Sequence, residues 1–178
     1  MERHARVIAE RWFKAYWSEV WDPADVEELA SPKVVLSHSI YERKEGSAAV
    51  AAFGRQLHEA FPDISLRAID TIVDVDSVVF NWKCGGTHTG PAFFGLRPGL
   101  LPVASGRKMH FDGISIVRVR DGQIVEDLGY ADTLTVAQQL HLVPTQGTTS
   151  DNASLTTAQR RESRPTGWSE NLRLNRAV

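Results

Sequence analysis

Ile8, Trp12, Tyr16 and Val20 recur every fourth residue, and Arg6, Glu10, Lys14 and Ser18 lie off that stripe. The spacing predicts one long amphipathic helix at the start of the chain. Asp22-Pro23 stops it and opens a short second helix, DPADVEELA, with Asp as cap and Pro at the first helical position. Residues 34–39, VVLSHS, read as a strand. A third helix follows Gly46-Ser47, with Val50, Phe53, Leu57 and Phe61 on one face, and Pro62 ends it. Beyond Pro62 the period changes to two. Residues 64–73 and 78–88 read as strands joined by the turn Val75-Asp76-Ser77. A Gly- and Pro-rich loop of about eighteen residues then separates them from residues 107–120, and loops of that length are more often functional than incidental. Asp121-Gly122, between ISIVRVR and QIVEDLGY, signals a two-residue hairpin. Asp132 is placed to cap a last helix, TLTVAQQLH.

Helices come first and strands afterwards. That segregation implies an α+β fold in which a curved antiparallel sheet wraps over three N-terminal helices. In the predicted hairpin Phe111, Val117 and Val119 lie on one face, and Ile114 and Ile116 on the other. A sheet with one wet face alternates apolar with polar. The second apolar face therefore calls for a cover, and a second copy of the chain, as a homodimer or higher homo-oligomer, supplies it most simply. Residues 1–143 are expected to form the single domain. Residues 144–178 are rich in Thr, Ser, Asn and Arg, and read as a disordered tail with Trp168, Leu172 and Leu174 as its only docking points.

Composition narrows the function classes. The 178 residues carry a formal net charge of −2 with no basic stripe, which argues against nucleic acid. No segment approaches the roughly 18 apolar residues of a membrane span, and the N-terminus lacks the apolar run of a signal peptide. A soluble, cytoplasmic protein is the expectation. Cys84 is the single cysteine, so no internal disulfide or cysteine metal cluster is available. No phosphate loop, nucleophile elbow or helical His pair is present.

GTHTGPAFFGLRP and GRKMHFDGISIVRVRDGQIVEDLGYADTLTVAQQL resemble the C-terminal half of SnoaL-like polyketide cyclases, of the nuclear-transport-factor-2-like superfamily. The likeness extends over roughly residues 1 to 143 in order and length of elements. It implies a cone of curved sheet closed by helices, an apolar pocket for a hydrophobic small molecule, an oligomer, and chemistry with neither metal nor organic cofactor. It also implies an acid/base aspartate on the last strand, three residues before Asp132. This chain has Gly129 there. A glycine moves no proton, so another acid (Asp112, Asp127 or Asp132) has taken the role or the cyclase reaction is not run.

Ring closure of the aldol type needs a proton removed beside a carbonyl and one delivered to the developing alkoxide. Buried His or carboxylate groups do both, because withdrawal from water moves their pKa toward neutrality. His38 stands where relatives often carry a pocket histidine; a hydrogen-bonded histidine at a strand end is the equal alternative. Pairing Arg120 with Gln123 and running the register onward sets Ile116 opposite Asp127, Ile114 opposite Gly129 and Asp112 opposite Ala131. His110, Asp112, Asp127 and Gly129 would then share one face. Asp112, with His38 as partner, is the first candidate for the acid/base role. Asp132 is second, since helix capping needs the same residue type. His88, at the mouth of the cone, either meets substrate or ties down the loop Pro91–Ser105, the latter being favoured. Trp12, Tyr16, Phe53, Trp82 and Phe93 are read as pocket lining or core, with His110 and Asp127 as further substrate contacts. Two functions follow: a cofactor-independent cyclase or isomerase of polyketide or related secondary metabolism, or a non-catalytic domain that binds a hydrophobic ligand or partner.

Overall fold

The computed structural model describes residues 2–18 and 21–144. Val20 and the expected tail beyond Pro144 lie outside them. Helix α1, Glu2–Trp17, buries Ile8, Trp12, Phe13 and Tyr16 as its stripe requires. Helix α2, Pro23–Leu29, begins as the sequence specifies: the Asp22 carboxylate accepts from the Ala24 amide at 2.9 Å. Strand β1, Ala30–His38, starts earlier than expected and pairs with a two-residue strand β2, Lys44–Glu45. Helix α3, Ser47–Ala60, follows Gly46, whose φ of +86° only glycine adopts readily.

Four long strands follow: β3 (Ser65–Asp74), β4 (Ser77–Thr87), β5 (Lys108–Arg120) and β6 (Gln123–Ala131). The six strands form one sheet in the order β2-β1-β6-β5-β4-β3, with α1 and α3 packed on it. The α+β architecture is the expected one, with a difference in the sheet. β1 runs parallel to β6, so the sheet is mixed rather than wholly antiparallel. The cause is connectivity, because β1 joins the far side of the hairpin after a long excursion of the chain, not across a turn.

The inner face of the sheet is the core. Val78, Phe80, Trp82 and Cys84 of β4 alternate inward, as do Met109, Phe111, Ser115, Val117 and Val119 of β5. Trp82 lies opposite Gly113 on β5, and any Cβ at 113 would overlap its indole. The large ring thus sits on a strand backbone left bare for it. Asp121 and Gly122 both take positive φ, 49° and 78°, which is the two-residue hairpin turn that Asp-Gly favours. Helix α4, Thr133–Gln139, is capped by Asp132. Among the described residues, no helix is long and apolar enough to cross a membrane.

Candidate active site

The end of one strand, the middle of another and one helix bring the chemistry together. His38 is the last residue of β1 and pairs with Gly129 of β6. Two residues before Gly129, on the same inward face, stands Asp127, which is fully buried. Its Oδ1 lies 3.0 Å from His38 Nε2, and its Oδ2 accepts from the Trp12 indole N–H, also at 3.0 Å. A carboxylate oxygen only accepts, so Nε2 carries the hydrogen of this pair. Nδ1 is then left with a lone pair. The same geometry places a histidine's second nitrogen in any site where an acid fixes its tautomer.

Room for the imidazole comes from Gly129. A Cβ at that position would overlap Nδ1, Cε1 and Cγ of His38. The His38 ring therefore occupies the space that a side chain at 129 would need. Tyr16 completes the floor. It stacks on Trp12 with centroids 5.0 Å apart and donates its hydroxyl to the Val50 carbonyl at 3.0 Å. Burial, with the Asp127 charge second, holds this phenol well above the usual tyrosine pKa, so it serves as packing and not as an acid.

His38 lines a cavity that leaves about 30 Å³ for the centre of a water-sized molecule. Its wall is formed by Trp17, Tyr41, Trp82, Cys84 and Leu96 among others. His38 lies between aromatic rings: Tyr41 stacks on it at 5.0 Å, Trp17 lies at 5.6 Å and Trp82 at 6.5 Å. The Trp82 indole donates to Ser115 Oγ at 3.0 Å. Cys84 is a neutral thiol here, its pKa pushed up to about 12 by burial, and contributes packing alone. Phe53 packs on the far side of Tyr41 at 4.5 Å and meets Phe93 at 6.2 Å, so both support the wall from behind.

Asp112 and His110 are elsewhere, and the reason is one residue. The hairpin pairs Arg120 with Gln123 as expected, but a bulge between Arg118 and Val119 leaves Val125 without a partner. Val117 then faces Asp127, Ser115 faces Gly129, and Gly113 faces Ala131. A slip of one residue turns every later side chain to the opposite face. Asp127 and Gly129 point inward, whereas His110 and Asp112 point outward, contrary to the shared face expected of them. Asp112 is 61% exposed and lies 3.5 Å from Lys83 on the outer surface, so it cannot touch a molecule in the cavity.

Asp132 caps α4, accepting from the Thr135 amide at 3.0 Å and the Thr135 hydroxyl at 2.7 Å. His88 is fully buried; Nε2 donates to the Pro91 carbonyl at 2.8 Å, and Nδ1 meets Ser105 Oγ at 2.9 Å. Both nitrogens are committed to the two ends of the long loop. Sequence reasoning did not single out Tyr41 or Trp17. Tyr41 closes the VVLSHSIY segment three residues beyond His38, and Trp17 follows Tyr16 at the edge of the helical stripe. Their proximity to residues already chosen was the available signal. Among the described residues, no three His, Cys, Asp or Glu side chains stand together as a metal site.

Comparison with known proteins agrees with this architecture. The structure is similar to that of a protein from Jannaschia sp. CCS1 described as a SnoaL-like polyketide cyclase, at 24% identity and a TM-score of 0.68, covering 80% of this chain and 95% of that one. AclR of Streptomyces galilaeus, described as a hydroxylase, matches at 19% identity and 0.64, covering 82% and 89%. IdmH of Streptomyces antibioticus, described as a polyketide cyclase, matches at 22% and 0.60, covering 77% and 98%. At such identities these likenesses show the fold. No curated protein matches the chain. The family model for SnoaL-like polyketide cyclases matches residues 7–140, and on that match the chain belongs to the SnoaL-like polyketide cyclase family.

Proposed function

We propose that the protein is a cofactor-independent enzyme that cyclises, isomerises or rearranges a hydrophobic substrate of polyketide or related secondary metabolism. His38 moves the proton and Asp127 positions it. The observation that carries this reading is the buried Asp127–His38 pair, whose histidine lines the cavity and whose Nδ1 has no hydrogen-bond partner among the described residues. As a base, Nδ1 takes a proton from carbon. The imidazolium that forms faces Asp127 at 3.0 Å, where opposite charge stabilises it. As an acid, the same nitrogen returns the proton to another atom of the substrate. The family aspartate position at Gly129 is thus filled by a histidine ring reaching over from β1, and the acid has moved two residues back along β6. The family and the cyclases among its structural neighbours support cyclase-type chemistry.

The test needs no knowledge of the natural substrate. Hydrophobic ketones and enones are incubated with the protein in heavy water, and exchange of the hydrogens beside the carbonyl is followed by NMR. Exchange by the wild type, lost in Asp127→Asn and in His38→Gln, supports the reading. Ketones that bind without any exchange would replace it with the non-catalytic binding domain.

Assembly through the outer face of the sheet is the second part of the proposal. Ile114 and Tyr130 are direct cross-strand partners there, 48% and 70% exposed. Ile72 on β3 adds a further exposed apolar side chain. A second copy of the chain is the expected cover.

A further inference from the structure

Buried polar atoms in folded proteins nearly always find a hydrogen-bond partner. Among the described residues four buried side-chain atoms do not: Trp17 Nε1, Trp21 Nε1, Tyr41 Oη and His58 Nδ1. Trp21 and His58 stack on each other at 5.1 Å and are not part of the cavity wall. Trp17 and Tyr41 are different. Both line the cavity, their rings lie 6.4 Å apart, and each packs against His38. The indole N–H can only donate. The Tyr41 hydroxyl keeps its proton, because burial, and after it the Asp127 charge, holds the phenol well above its ordinary pKa.

We propose that Trp17 and Tyr41 are a donor pair for a substrate oxygen, and that the ligands of this site are carbonyl compounds whose oxygen gains negative charge. Among the described residues neither group is used by the fold: each side chain is 4% exposed or less, and the indole N–H and the phenol hydroxyl bond to none of them. Leaving such donors unpaired costs stability, so each calls for an acceptor that the described residues do not supply, and a substrate oxygen fits that need. The rest of the wall offers apolar carbon, which suits the body of a conjugated ketone or a phenol. The inference rests on the His38–Asp127 reading for one step only. When His38 Nδ1 takes a hydrogen beside the carbonyl, the C–H electron pair forms a carbon–carbon double bond. The carbonyl π pair moves onto oxygen, and the enolate oxygen is held by the two donors. Returning the proton reverses each movement, so the step needs no further reactant. Donors aimed at a developing oxyanion in a dry site are worth far more than the same bonds in water.

The binding half can be tested apart from turnover, with para-nitrophenol, whose absorbance reports its ionisation, and nitrobenzene as its counterpart lacking the hydroxyl. The full-length wild type is expected to bind the phenolate in preference to the phenol and so lower the pKa of the bound probe. Tyr41→Phe and Trp17→Phe should each weaken phenolate binding by about 10-fold or more, the scale of one hydrogen bond to a charged atom. Nitrobenzene affinity should stay the same. Tyr41→Phe should also melt no lower than the wild type, because it deletes a hydroxyl that the fold leaves unpaired. Equal losses for both probes, no loss for either, or no binding of either by the wild type would overturn the proposal. A lower melting temperature in Tyr41→Phe would overturn it as well, by showing that the hydroxyl serves the fold. Asp127→Asn separates the two readings: lost hydrogen exchange concerns the base, whereas the phenolate preference concerns the donors.

Discussion

The imidazole of His38 lies on the bare backbone of Gly129, its partner in the parallel β1–β6 pair. A methyl group at 129 would occupy the ring's place. Gly129→Ala is therefore expected to destabilise the fold by about 1–3 kcal/mol, the usual penalty for overfilling a packed interior. In a His38→Ala background the same substitution should cost little, since the space is then free. Urea unfolding of the two single variants and the double variant reads this coupling. Equal penalties in both backgrounds would show that the ring yields freely.

Asp127→Asn keeps the shape of the acid but not its charge. Its amide can donate to Nε2 and so reverse the histidine's tautomer, leaving a hydrogen where the lone pair was. Hydrogen exchange on a bound ketone should fall by a factor of about 100 or more, the range of one general base. Adding His38→Gln should lower it no further, because the two residues act as a unit. Asp112→Asn should leave exchange unchanged and alter stability by less than about 0.5 kcal/mol, as for other exposed pairs.

His58 gives the fold a pH dependence of definite sign. Its Nε2 donates to the Tyr16 carbonyl at 3.0 Å, and burial lowers its pKa below the ordinary 6.5, with that bond a smaller effect in the other direction. The unfolded chain therefore takes up this proton at higher pH than the folded one does. The contribution is fully present above 6.5 and is lost as pH falls through the lowered folded value. Urea midpoints measured from about pH 7 down to about pH 5 should fall in the wild type and fall less steeply in His58→Gln. Parallel curves would place the acid sensitivity elsewhere.

The outer face of the sheet is expected to join two copies. Sedimentation of the wild type at micromolar concentration should show a dimer, and Ile114→Lys with Tyr130→Lys should give a folded monomer. A wild-type monomer under those conditions refutes the interface.

His88 holds both ends of the long loop, and His88→Ala removes its bonds to Pro91 and Ser105 together. Amide exchange at Phe93, Leu101 and Gly106, whose N–H groups bond within this region, should speed up by about 10-fold or more. Unchanged protection would mean that the loop's backbone bonds suffice.

Local chemistry made most of the architecture legible. Asp22-Pro23, Asp121-Gly122 and Asp132 each acted on their immediate neighbours, and each did what its residue type dictates. The single-domain extent and the nature of the tail were not accessible in the same way. What the pattern did not disclose was the bulge at Val125, where no glycine marks the extra residue. That residue alone decides whether Asp112 or Asp127 lies on the inner face of the sheet. Register also hid the partner of His38, since a parallel neighbour far along the chain leaves no trace in the spacing around VVLSHS. Asp127 was named as a substrate contact, and its bond to His38 emerged only from the sheet. Tyr41 and Trp17 were passed over because a buried ring reads as packing until its polar atom is seen to lack a partner.

The segment over the cavity is fastened at several points. Arg97 donates from its backbone to the Ile40 carbonyl at 2.9 Å and from its side chain to the Tyr41 carbonyl at 2.8 Å, next to the bridge between Tyr41 and Leu96. Leu96 itself is part of the wall. The cavity leaves about 30 Å³ for the centre of a water-sized molecule, so the proposed substrate is expected to enter only after these fastenings let go. Association then has two stages, and its observed rate should level off as ligand concentration rises, at a ceiling equal to the opening rate of the loop. For the enzyme proposed above, the same ceiling is expected to govern product release, so that the latch at Arg97 times turnover however quick the proton transfer beneath it.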